Sequence, residues 1–153
     1  MFGPEAASII NRNVVICNCG SPEALDLARP LVDGANVIEM DVEEHDSLMA
    51  YVLGLSHAVN IAFFEALRQS GRGYKELDSA GSTTFHRQVE ISRDVASENA
   101  QLYYEIQHLN PHNAEALGYL QRALEDLRKA GVTGDREAFE KMMVEGREYF
   151  GGN

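Results

Sequence analysis

Three polar side chains, Ser56, His57 and Asn60, stand inside the most apolar stretch of this chain, residues 43–68. Polar groups buried without partners cost free energy, so this cluster must be satisfied somewhere. Either it forms hydrogen bonds between packed elements, or it lines a polar ligand pocket. A second histidine, His45, opens the same stretch in a Glu-His-Asp turn. Twelve residues along one helix separate His45 from His57 by about 18 Å, too far to share a metal. His86 and Glu90 are one helical turn apart, the spacing of a two-ligand metal pair and also of a common solvated pair. Cys17 and Cys19 are too few and too close to staple a fold; they read as thiols on one face of a strand in a reducing compartment. His108 and His112 flank a turn and carry no signal, and Arg68, Arg72 and Lys75 read as a solvated helix end. No metal site is expected.

The stretch that carries the polar cluster should be one long helix. It begins with acidic residues suited to the positive end of a helix dipole and meets no proline before the Ser70–Gly73 break. Leu48, Val52, Leu55, Val59, Ala62 and Ala66 follow a helical stripe, while Tyr51, Leu53, Ile61, Phe63 and Phe64 put apolar groups on the other faces. A helix apolar all round is buried all round, which in a chain of 153 residues calls for a second subunit. Ahead of it, Val14–Asn18 and Asn36–Met40 read as short strands flanking a helix over Pro22–Val32, with Ser21 as its cap and Pro30 weakening its last turn. Two parallel strands do not make a sheet that stands alone, so residues 1–41 are expected to belong to a larger α/β domain whose other strands are absent or lie elsewhere. Residues 42–153 read as all helix. Further helices are expected over 74–78, 83–97, 99–108, 114–130 and 136–150, with Gly131 and Gly134 closing the fourth of these.

A formal net charge of -11 argues against nucleic acid and anionic membranes, both of which need cationic faces. The long apolar run is broken by Ser56, His57, Asn60 and Glu65, so a membrane span is not expected, and no charged-then-apolar signal opens the chain. A cytoplasmic protein is expected.

The opening Met1-Phe2-Gly3-Pro4, Glu44-His45-Asp46 with Met49-Ala50, the second histidine at His57, and Arg93 ahead of Gln101-Leu102-Tyr103-Tyr104-Glu105-Ile106 together resemble prephenate dehydrogenase. The resemblance runs nearly end to end and implies a mainly α fold: the family's helical dimerisation domain, preceded by a small β-α-β remnant of its Rossmann-like domain. It implies the oxidative decarboxylation of prephenate to 4-hydroxyphenylpyruvate, with hydride passed to NAD or NADP, in a homodimer. Arogenate dehydrogenases share the pattern. By the same resemblance His57 reaches the substrate pocket, Arg93 holds a substrate carboxylate, and His45 lies at the junction with the cofactor domain. One extra residue between Arg93 and the Leu-Tyr segment, a rotation of about 100° on a helix, leaves Arg87 as a second candidate for the carboxylate. The family's polarising histidine falls just ahead of Met1, and no Gly-x-Gly-x-x-Gly occurs, so no catalytic residue and no bound dinucleotide are expected in this chain alone. The alternative is a non-catalytic helical dimerisation or ligand-sensing module of the same architecture.

Overall fold

The computed structural model describes residues 8–18 and 20–152; Met1–Pro4 and Cys19 lie outside the described residues. Two strands, β1 (Asn13–Asn18) and β2 (Asn36–Asp41), pair in parallel, in register from Asn13 opposite Asn36 to Asn18 opposite Asp41. Helix α1 (Pro22–Ala28) crosses between them, its first turn capped by Ser21 Oγ, which accepts from the Ala24 amide at 3.3 Å. The expected helix to Val32 stops early. Pro30 brings no amide hydrogen, and Arg29–Val32 tightens into a 3-10 turn. Arg29 then pairs with Glu39 on β2 at 2.8 Å, closing the unit.

The long helix spans Val42–Gln69 and starts where Asp41 Oδ1 accepts from the Glu44 amide at 2.7 Å. It is not uniform. Two α-helical parts, α2 (Val42–Met49) and α3 (Ser56–Gln69), are joined by a π-helical segment over Ala50–Leu55, which corrects the expectation of one regular helix. By length and composition this helix could cross a membrane, yet its buried Asn60 bonds Ser92 of a neighbouring helix in the same chain.

Five more helices follow: α4 (Tyr74–Ser79), α5 (Thr83–Ser97), α6 (Ala100–Leu109), α7 (Asn113–Thr133) and α8 (Arg136–Tyr149). Side chains of Ser82, Asn99 and Asp135 cap α5, α6 and α8 by accepting first-turn amides. Helix α7 runs through Gly131, contrary to the expected stop, and ends at Gly134, whose φ of 69° closes the helix as a left-handed residue.

The core is thin. Among the described residues the buried apolar side chains are Met40, Met49, Ala50, Ala116 and Ala130, and none of the large ones is wholly covered. Leu48, Tyr51, Val52 and Val59 on the long helix, Leu117, Leu124 and Leu127 on α7, and Phe139, Met143 and Val144 on α8 all face outward. A single copy leaves this apolar surface in water, far more than a stable monomer ordinarily exposes.

Candidate functional site

The polar cluster of the long helix divides into three roles. Asn60 is buried, and its Oδ1 accepts from Ser92 Oγ and from Gln88 Nε2, both at 2.8 Å, while its Nδ2 donates to the Ser56 carbonyl. This is a satisfied buried network that binds α3 to α5. Ser56 turns inward on its own helix, its hydroxyl donating to Val52 O at 2.7 Å and to Leu53 O at 3.2 Å. His57 differs from both. Its Nδ1 is buried with no hydrogen-bond partner among the described residues, and its ring stacks on Tyr103 of α6 at 4.4 Å between centroids. Burial lowers the pKa of His57 below the usual 6.5, so the imidazole is neutral near pH 7.

Arg93 lies one residue beyond Ser92, at the rim of a cavity of about 180 Å³ between α3 and α5. Phe63, Phe64, Leu67 and Val89 make its apolar walls. The guanidinium donates from Nη2 to Tyr74 Oη at 2.6 Å and lies over the Tyr74 ring, while Tyr74 in turn donates to Asp78 at 2.9 Å. That bond to Asp78 raises the Tyr74 pKa and keeps the phenol protonated. Among the described residues no carboxylate lies within ion-pair distance of Arg93. Arg93 is thus an exposed cation, held by a tyrosine beside an aromatic cavity and without an ion-pair partner among the described residues, a donor group suited to a carboxylate.

Arg87 is exposed, does not line that cavity and makes no ion pair among the described residues. His57 does not line it either. What joins the two places is the polar network: Ser92 borders the Arg93 cavity and bonds Asn60, one helical turn along α3 from His57. His45 sits near the start of the long helix with its Nδ1 at 2.9 Å from Asp46 Oδ1, at a second, open cavity of about 330 Å³ that also meets Met49, Glu105 and Asn110. His86 Nδ1 faces Asp78 Oδ1 at 3.5 Å.

Several residues had no role assigned to them in the sequence. Tyr74 and Tyr103 flank Arg93 and His57, and Gln88 completes the Asn60 network. Gln107 and Asn113 grip the π segment. Tyr103 stands in the Gln101–Ile106 segment and Asn113 in the Asn-Pro-His-Asn corner at 110–113, whereas Tyr74, Gln88 and Gln107 carry no comparable mark.

A family model described as prephenate dehydrogenase, dimerization domain, matches residues 41–145. The chain belongs to the prephenate dehydrogenase dimerization-domain family. Over 156 aligned residues it is 26% identical to a probable arogenate/prephenate dehydrogenase of Methanocaldococcus jannaschii, covering 99% of this chain and 35% of that protein. It is 29% identical over 118 residues to a 4-amino-4-deoxyprephenate dehydrogenase of Streptomyces pristinaespiralis, covering 77% of this chain and 40% of that protein. It is also 24% identical over 153 residues to the T-protein of Haemophilus influenzae, covering 99% and 41%. The chain thus spans well under half the length of these relatives. The crystal structure of Synechocystis arogenate dehydrogenase superposes with a TM-score of 0.69 at 18% identity, over 93% of this chain and 53% of that one, a likeness of fold.

Dehydrogenases of this dimerization-domain family imply a nicotinamide dinucleotide, and the described residues do not fit one. The turn from β1 into α1 has Gly20 as its described glycine, and α1 has seven residues, with its first-turn amide already taken by Ser21. A pyrophosphate is cradled by a Gly-x-Gly-x-x-Gly turn leading into a helix N-terminus.

Proposed function

We propose that this chain is the dimer-forming and substrate-holding helical portion of a prephenate-type dehydrogenase, working with a dinucleotide-binding domain supplied by a longer polypeptide. One observation carries the reading: Arg93, held by Tyr74 and without a carboxylate partner among the described residues, borders an aromatic cavity with room for about one six-membered ring. The substrate class of the family carries carboxylates on and beside such a ring. A planar guanidinium binds a carboxylate bidentately, and apolar walls hold the ring while excluding water.

The remaining residues serve the same substrate. His57 lies outside the Arg93 cavity, and its neutral imidazole would offer a donor or acceptor to a part of the substrate that extends beyond it, without adding a second positive charge to the site. A nicotinamide dinucleotide bound in the companion domain would supply the hydride acceptor, while Arg93 and the cavity walls of this chain would hold the substrate ring. Two copies pair through the long helix, α7 and α8, where the apolar side chains stand uncovered.

The test is steady-state oxidation of prephenate and of arogenate by the native polypeptide that carries this chain, with NAD and with NADP. Turnover of either substrate that is lost or strongly weakened in Arg93→Ala supports the reading. Turnover of neither substrate overturns it in favour of a non-catalytic module.

A further inference from the structure

The π segment places His57. Widening one turn by about one residue rotates everything beyond it by about 100° relative to an unbroken α-helix. His57 is the second residue after that turn. A widened turn leaves carbonyls in need of donors, and here they come from side chains. Ser56 Oγ serves Val52 and Leu53 from within the helix, and Gln107 Nε2 reaches across from α6 to Gly54 O at 2.8 Å.

Asn113 completes the grip. It is almost wholly buried, and its Nδ2 donates to the carbonyls of Ile106 and Gln107, closing the corner between α6 and α7. A Cβ on Gly54 would run into the Asn113 amide, so the close approach of this corner to the π segment needs a glycine. The same corner is tied to α2, with Asn110 Nδ2 donating to Asp46 O at 2.7 Å.

Two contacts between the long helix and α6 lie one turn apart on each: Gly54 with Gln107, and His57 with Tyr103. Fixing the first fixes the second. We propose that Gln107, Gly54 and Asn113 are positioning residues, holding the widened turn against α6 in the one rotation that stacks His57 on Tyr103 and aims its ring at the substrate. The assignment of that aim rests on the functional reading above; the stacking itself does not.

The test measures the stack directly. In the intact chain, the ring protons of His57, assigned through His57→Gln, should be displaced upfield by the Tyr103 ring current, and Tyr103→Leu should abolish the displacement. Gln107→Met, of similar length but lacking the donor, should lose most of it while circular dichroism shows the helices intact. Gly54→Ala should do the same or fail to fold; Gln107→Met decides the matter either way. Full displacement in Gln107→Met overturns the proposal. In the longer dehydrogenase, Gln107→Met should raise KM for prephenate several-fold with kcat little changed. A lost stack with KM unmoved keeps the positioning role and removes His57 from the substrate pocket.

Discussion

Arg93→Ala tests the site most directly. The guanidinium has one hydrogen bond, to Tyr74, and no carboxylate partner among the described residues, so its removal leaves no buried charge orphaned. The fold should therefore lose no more than about 0.5 kcal/mol, the usual effect of a surface change. Substrate affinity should suffer far more, because a charge-assisted pair with a carboxylate is worth roughly 1.5–3 kcal/mol. That corresponds to about a ten- to hundred-fold weaker Kd. The pair forms in both ground and transition states, so KM should rise while kcat falls little. Tyr74→Phe keeps the cation and removes only its support, so it should cost about 0.5–1.5 kcal/mol, a few-fold in KM. The assay is steady-state kinetics on the longer dehydrogenase, paired with a thermal melt of each variant. Arg87→Ala is the control: a rise in KM there, with Arg93→Ala unchanged, refutes the assignment and moves the carboxylate to Arg87. Loss of kcat with KM intact in both refutes the anchor altogether.

Asn60→Leu strands Gln88 and Ser92 inside the α3–α5 contact and should destabilise the fold by about 1–3 kcal/mol, lowering Tm by a few degrees at fixed protein concentration. His57 has a folded pKa below its unfolded value, so the unfolded chain takes up the proton first as pH falls. Stability should be full above pH 6.5 and decline as pH drops from there through the folded pKa; urea midpoints across pH 5–8 should show this slope, reduced in His57→Gln. Light scattering of the purified chain at micromolar concentration should give the mass of a dimer, and a monomer mass would remove the reason given for its uncovered apolar faces. Titration of the same chain with NAD or NADP should show no binding; saturable binding would mean that the β1–α1 unit does hold a phosphate.

Local chemistry marks many of the elements. Ser21, Asp41, Ser82, Asn99 and Asp135 each sit where a helix begins and accept a first-turn amide, a role that depends only on neighbours in the chain. The helix over 83–97 and the short strands were legible for the same reason. Pro30 signalled a weakened turn, although not that the turn would become 3-10. Gly131 misled, because an isolated glycine inside a helix costs only about 1 kcal/mol, and the left-handed Gly134 supplies the stop three residues later.

The polar residues of the long helix show where such reasoning stops. Their presence in an apolar run required partners, and the sequence by itself determined that much. What each of them would meet depended on residues 28 to 46 positions away: Gln88 and Ser92 for Asn60, and Tyr103 for His57. The π segment belongs to the same class, since its carbonyls are served by Gln107 and its glycine is pressed by Asn113 from a distant corner. Periodicity counts residues along one helix, whereas the widened turn exists because another helix supplies the missing donor. Composition and capping thus determined that the chain is helical and where most helices start, and tertiary contact alone decided that Arg93 borders a cavity and Arg87 does not.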